Sequence, residues 1–422
     1  MIIKTKFHKL TPGRDYISSM ANISHHTGLV AKSLSVIFTS LIIIGSSTTV
    51  AYPVRRWTYK ETSGDSNYDF GFSLGESFSK EIMLRIGNDV DMQRLISEFG
   101  EAAGNPLYYY FVATHEQHFP EYMDELRGIS DGSGVPFDQM FISQLKQEFT
   151  YYLNETEEVN KLLQKDDHCS DVIWCCQTGD IYIAHNEDAS IYDVNSTVLV
   201  EAINGVNGGP GFTALVYLGQ TPSNAFGFNT KGVVFTMNKL SPKYPYTEGV
   251  GRVFVGRSLL DSNGFEDAIN IATQKWKLIA GHNYQIGLAD SDLAVSIEVA
   301  SNGNYVISNR FEPGGRAFFH ANMYTILNIT QILPNPSSEH RIKRFNEIEN
   351  ATPVQNPTDM LNLLGDQADQ DYPIYHDFKS HSNGDLSGYT LTSVLVNLRT
   401  CEMLVYEENP KNSFPSFLLN VC

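Results

Sequence analysis

The chain changes character at Cys169, and that change limits the folds open to it. Residues 70–150 carry helical spacing: Phe137, Met140, Phe141 and Leu145 recur on one helical face, and Pro136 suits a helix start. The preceding Ser130-Asp131-Gly132-Ser133-Gly134 reads as a tight loop, and residues 52–69 are polar and read as extended. From Cys169 onward the pattern turns to short β-rich runs punctuated by Gly and Asn. They are Thr197–Ile203, Phe212–Leu218, Gly232–Met237, Gln285–Ala289, Val295–Val299 and Leu391–Leu398. Helical stretches intervene at Arg252–Lys277 and Ser338–Glu349. Strands in sets with helices between them predict packed α and β layers, an α+β fold. The division is a helical segment over 52–168 and a β-rich segment over 169–422, with no internal repeat.

Cys169 follows Asp166-Asp167-His168 and opens a hairpin. Val172–Cys176 reads as its first strand, Gln177-Thr178-Gly179-Asp180 as its turn, and Ile181–His185 as its second strand, leading into Asn186-Glu187-Asp188. A thiol attacks an amide only with a base or a lowered pKa. Cleavage between His168 and Cys169 creates such a base, because a free α-amine has a pKa of about 7.7–8.0 and is partly neutral at pH 7. Spacing alone leaves open an ordinary buried or disulfide-bonded cysteine. Asn186, Asn229 and Asn283 equally fit turns, Asp188 a solvated loop acid, and Arg341 an exposed helix charge with Ser337 or Ser338 as N-cap. A papain-like pairing of Cys169 with His185 or His320 lacks the Gln-x-Gly-x-Cys surround that such a protease carries.

A hydrophobic content of 42%, with 24 Phe and 22 Tyr, suffices for a large core. The net charge of −18, with no basic run in the body, argues against nucleic acid and anionic membrane surfaces as partners. Lys4, Lys6, Lys9, Arg14 and Lys32 precede the apolar run Leu34–Gly45, and Thr49-Val50-Ala51 resembles a cleavage exit. Residues 1–51 therefore read as a signal peptide or signal anchor, and the apolar run is shorter than the ~20 residues a span needs. Membrane association is expected only through that segment. Sequons at Asn154, Asn195, Asn328 and Asn350 agree with a glycosylated protein that is secreted, lysosomal or anchored. The five cysteines, at 169, 175, 176, 401 and 422, form no zinc-type pattern, so no metal site is expected. Their odd number leaves at least one thiol unpaired within the chain; Cys401–Cys422 is a possible disulfide, and Cys175 and Cys176 point to opposite faces of a regular strand.

Several stretches in fixed order resemble the acyl-CoA:6-aminopenicillanate acyltransferase family. These are N-terminal-nucleophile (Ntn) hydrolases related to the choloylglycine hydrolases. The stretches are Glu125-Leu126-Arg127-Gly128-Ile129-Ser130-Asp131-Gly132, Cys169 with Asn186-Glu187-Asp188, Gly227–Asn238, Ala280-Gly281-His282-Asn283-Tyr284 and Ser337-Ser338-Glu339-His340-Arg341-Ile342-Lys343-Arg344. The resemblance spans roughly residues 65–410. It implies an αββα four-layer sandwich and self-cleavage at His168–Cys169 into two chains that stay partners. It also implies a cofactor-free amidohydrolase or acyltransferase acting on a small N-acyl amine. By the same resemblance Cys169 is the nucleophile and Asp188 holds its amine. Asn238 would line the oxyanion hole, a donor typically worth about 10²–10³ in rate. Asn283 would orient the amine or the substrate carbonyl, Arg341 would order the nucleophile's surroundings and could organise Asp188, and His185 and Asn186 would meet substrate. The sequence departs from the family at His168, where Gly is usual, at Ser170-Asp171, at His185, where bile salt hydrolases have Arg, and at Glu408-Asn409-Pro410. These departures point away from the penicillin and bile salt branches, leave room for an animal branch such as the β-alanyl amine hydrolases, and motivate an alternative, an inactive secreted binding protein.

Overall fold

The structure is a computed structural model that describes residues 54–61, 64–153, 156–164, 169–222, 224–377 and 388–422. The leader, Asn154 and His168 lie outside the described residues. No helix among the described residues is long and apolar enough to cross a membrane.

Strand β1 (Arg55–Tyr59) precedes a run of helices: α1 (Asn67–Ser77), α2 (Ser79–Asn88), α3 (Val90–Phe99), α4 (Pro106–His118), α5 (Pro120–Ser133), α6 (Phe137–Gln144), α7 (Lys146–Thr150) and α8 (Thr156–Gln164). Next come β2 (Ser170–Cys175), β3 (Ile181–Ser190), β4 (Thr197–Ala202), β5 (Phe212–Tyr217), β6 (Phe226–Asn229), β7 (Val233–Leu240), α9 (Arg252–Leu260) and α10 (Phe265–Thr273). The chain closes with β8 (Gly281–Leu288), β9 (Ala294–Val299), β10 (Tyr305–Ser308), β11 (Phe318–His320), α11 (Pro336–Ala351), α12 (Pro357–Leu364), β12 (Gly388–Asn397), β13 (Glu402–Tyr406) and β14 (Phe417–Asn420). Among the described residues one eight-stranded sheet has the order β1-β4-β5-β6-β7-β8-β9-β10, and a six-stranded sheet has the order β11-β2-β3-β12-β13-β14.

Strand alternation builds the layers. On β5, Phe212, Ala214 and Val216 join a core with the helices α1–α7, α9 and α10, while Leu215 and Tyr217 face the second sheet. On β2, Ile173 and Cys175 face the first sheet, while Val172 and Trp174 pack with Phe345, Met360 and Leu363 of α11 and α12. The result is helix, sheet, sheet, helix: the four-layer α+β sandwich that the resemblance implied.

Several expected boundaries move. Ser130–Ser133 is the end of α5, not a loop, and the chain leaves that helix through left-handed Gly134. The stretch expected as one helix from Arg252 is two, broken after Asp261 at Gly264, whose φ of 151° continues no helix. Within the stretch expected to be extended, Ser66 and Asp69 form a capping box that starts α1 at Asn67, and β1 enters the first sheet parallel to β4. Cys401 and Cys422 are disulfide-bonded, with Cα atoms 5.5 Å apart. Cys175 and Cys176 do face opposite layers.

The Gly128 and Gly132 stretch is a packing device. At Gly128 a Cβ would stand 2.1 Å from the Tyr68 carbonyl oxygen, and at Gly132 it would stand 2.2 Å from that of Phe72, so α5 runs backbone to backbone against α1.

Candidate active site

The hairpin is longer than its sequence suggested, because β3 runs on through Asn186-Glu187-Asp188 to Ser190. In the β2–β3 register Ser170 pairs with Asn186 and Asp171 with His185, which carries Cys169 across from Glu187. Alternation turns Asp171, His185 and Glu187 toward the first sheet, on the same side as Ile173 and Ile183.

A buried polar chain results. The Cys169 Sγ lies 3.6 Å from Glu187 Oε2 and 3.7 Å from the Asp188 carbonyl oxygen. His185 bridges two carboxylates, with Nε2 at 2.8 Å from Glu187 Oε2 and Nδ1 at 2.9 Å from Asp171 Oδ1. Tyr217 from β5 donates its hydroxyl to Glu187 Oε1, and Thr236 from β7 donates to Asp171 Oδ1 at 2.7 Å. Burial works against a charge on His185, but Asp171 and Glu187 outweigh it and push its pKa up to about 10. Burial first, then Glu187, hold the Tyr217 phenol well above its ordinary range, so it stays a donor. The Arg85 guanidinium lies over the Tyr217 ring, with its carbon 5.6 Å from the ring centroid, and pairs with Asp193 at 2.7 Å, which anchors this end of the site to α2.

Arg341 is fully buried rather than an exposed helix charge. Its Nη1 donates to the Cys169 carbonyl oxygen at 2.6 Å and to Ser170 Oγ at 3.0 Å, and its Nη2 donates to Asn322 Oδ1 at 2.9 Å. Ser337 and Ser338 accept from Arg341 inside the first turn of α11; the N-cap is Asn335, whose side chain accepts from Ser338 N. The serines of that motif therefore aim the arginine at the start of β2.

The other expected residues divide by what their side chains already hold. Asp188 Oδ2 lies 3.3 Å from His376 Nδ1, while the buried Oδ1 has no partner among the described residues. Asn238 Nδ2 donates to the His320 carbonyl oxygen at 3.2 Å, which leaves one amide hydrogen to offer. Asn283 is the cross-strand neighbour of Asn238, but its two hydrogens go to Ser296 Oγ and Ile297 O, and its oxygen accepts from Gln285. Asn186 is turned to the outer layer, where its amide donates to the carbonyls of Leu364 and Ile374 and accepts from Ser393. Where a substrate contact was expected of Asn186, the geometry gives it the positioning of α12. His185 likewise spends both ring nitrogens on carboxylates. Asn229 closes the β6–β7 turn by accepting from the backbone of Lys231 and Val233.

Sequence reasoning passed over Glu187, Asp171, Tyr217, Thr236, Asn322 and His376. A period of two running from Ile183 through His185 was the available signal for Glu187. Tyr217 and Thr236 arrive from the opposing sheet, which no local pattern encodes. No metal site was expected; the donor atoms of Cys169, His185 and Glu187 lie within 4.8 Å of one another, but both ring nitrogens of His185 are already held by carboxylates, which leaves no imidazole lone pair for an ion.

The family model for acyl-coenzyme A:6-aminopenicillanic acid acyl-transferase matches residues 175–412, more than half of the chain. The chain belongs to this acyl-transferase family. It therefore falls among enzymes that transfer acyl groups or hydrolyse amides. A relative in this range of chemistry is the beta-alanyl-dopamine/carcinine hydrolase of Drosophila melanogaster, 22% identical over 372 residues, which cover 83% of this chain and 92% of the relative. Among solved structures, two variants of the conjugated bile acid hydrolase from Clostridium perfringens align at 9% and 10% identity, each with a TM-score of 0.30. They cover 60% of this chain and 96% and 98% of theirs.

Proposed function

We propose that this protein is a self-processed amidohydrolase or acyltransferase whose nucleophile is Cys169. The observation that carries this reading is the placement of Cys169 at the head of β2. Its thiol lies beside Glu187, its carbonyl is held by Arg341, and Asp188, the residue after Glu187 on β3, has one buried oxygen with no partner among the described residues. An α-amine freed at Cys169 supplies a donor to Asp188 and a base to the thiol. The thiol then adds to the amide carbonyl of a small N-acyl amine, Asn238 donates to the oxyanion, the amine leaves, and water or a second amine resolves the thioester. Asn238 serves this better than Asn283, whose amide hydrogens are both spent. The curated relative acts on β-alanyl amides by its name, so β-alanyl amines of aromatic and imidazole type are the first substrates to try. In this reading the protein follows the secretory route, supported by its basic, apolar leader and by the exposure of Asn195, Asn328 and Asn350.

Mass spectrometry and amino-terminal sequencing of the purified protein test it. Two chains, the second beginning at Cys169, are expected to stay together until denatured, because β1 pairs with β4 and helices α1–α7 share one core with the first sheet. Cys169→Ala should leave the chain uncut and inactive. An active enzyme that keeps the His168–Cys169 bond overturns the self-processing, and an active Cys169→Ala variant overturns the nucleophile.

A further inference from the structure

The self-cutting step has a chemical requirement that turnover lacks. In the uncut chain the nitrogen of Cys169 is an amide, so the α-amine cannot be the base that activates the thiol. Some other group beside Sγ must take the proton. Among the described residues, Glu187 is a side chain placed to do so: Oε2 is 3.6 Å from Sγ, and the β2–β3 register sets Glu187 directly across from Cys169.

The rest of the polar chain prepares that carboxylate. Tyr217 fixes Oε1, and His185 fixes Oε2 while being held from behind by Asp171, which Thr236 secures. These residues come from four strands in two sheets and are all buried, so the carboxylate is pinned facing the sulfur.

We propose that Glu187 is the catalytic base and acid of self-cleavage, distinct from the α-amine that serves turnover; this rests on the self-processing reading above. Glu187 Oε2 takes the proton from Cys169 Sγ. The sulfur bonds to the carbonyl carbon of residue 168, and the bond from that carbon to the Cys169 nitrogen breaks. The proton passes from Glu187 to the departing nitrogen, which yields a thioester and a free α-amine. Water then hydrolyses the thioester, leaving a carboxylate on residue 168 and restoring the thiol.

The test compares two routes to the same cut enzyme. One chain keeps its own sequence at 165–168; the other carries there the site of a protease that leaves Cys169 as the new amino terminus. Glu187→Gln, which keeps side-chain size, is made in both. Expected is a slowing of self-cutting by about 10²–10⁴-fold, the usual weight of a positioned acid–base group. In the protease-cut enzyme kcat should fall at least tenfold less than that. Self-cutting of Glu187→Gln at the parent rate, or equal losses by both routes, overturns the proposal and leaves the Cys169 reading intact. A parent chain that never cuts itself overturns the self-processing reading instead. Should Glu187→Gln fail to fold, Tyr217→Phe takes its place: it leaves the carboxylate but frees one end, and is expected to slow cutting about tenfold or more. An unchanged cutting rate in that folded variant overturns the proposal.

Discussion

Arg341 shows how one side chain can be read in opposite ways. In a polar helix with hydroxyl neighbours it fits a solvated face; in the structure it is buried and binds the backbone of the nucleophile. Its planar fork reaches Cys169 O, Ser170 Oγ and Asn322 Oδ1 together, which one ammonium cannot match. Arg341→Lys is therefore expected to cost about 3 kcal/mol of stability, the scale of one or two charged hydrogen bonds, and to slow self-cutting. Urea unfolding of an uncut Cys169→Ala background measures the first, and the time course of chain separation measures the second. Cys169 itself was legible as a candidate because it heads a hairpin. Glu187, two positions beyond His185, was legible only to a reader who carried the strand past its apolar part.

At the scale of elements, the glycines of α5 were legible as part of a motif, but not as what they are. Gly71 and Gly75 on α1 meet Gly128 and Gly132 on α5, and each would place a Cβ within 2.4 Å of a facing carbonyl oxygen. Backbone cannot yield as a flexible side chain does. Gly128→Ala is thus expected to destabilise by roughly 2–3 kcal/mol, at the upper end for overpacking, and to lower the thermal midpoint. Gly134→Ala offers the contrast: its Cβ would meet nothing within 4 Å, so what it adds is the strain of a left-handed φ of 76°. If the two variants melt together, the helix contact is not tight. Strand positions were legible because alternation and turn residues are local. The extension of β3 was not, since its last residues are polar and are held in the strand by pairing with β12.

For the whole molecule, His115 ties the helical layer to the start of α9. Its Nδ1 lies 2.7 Å from the Phe111 carbonyl and its Nε2 accepts from Gly251 N–H at 2.8 Å, which suits the neutral ring. Burial brings its pKa down to about 4, against an ordinary value of about 6.5. A depressed histidine favours the state that is neutral, so its contribution is complete above pH ~6.5 and is lost as pH falls through that range toward 4, up to about 3 kcal/mol. Denaturant melts at pH 7.5 and pH 4.5 should show this loss in the parent protein and a smaller pH dependence in His115→Gln.

By itself the sequence determined where helices give way to strands, which face of each strand is apolar, and which cysteine heads the hairpin. Each of these is written in residues within a few positions of one another. Only the tertiary structure decided which carboxylate meets the thiol, which arginine holds its carbonyl, and which asparagine keeps a hydrogen to offer. Those choices depend on strand register and on the stacking of two sheets. Both bring together residues far apart in the chain, such as Cys169 and Arg341, whose spacing carries no local signature.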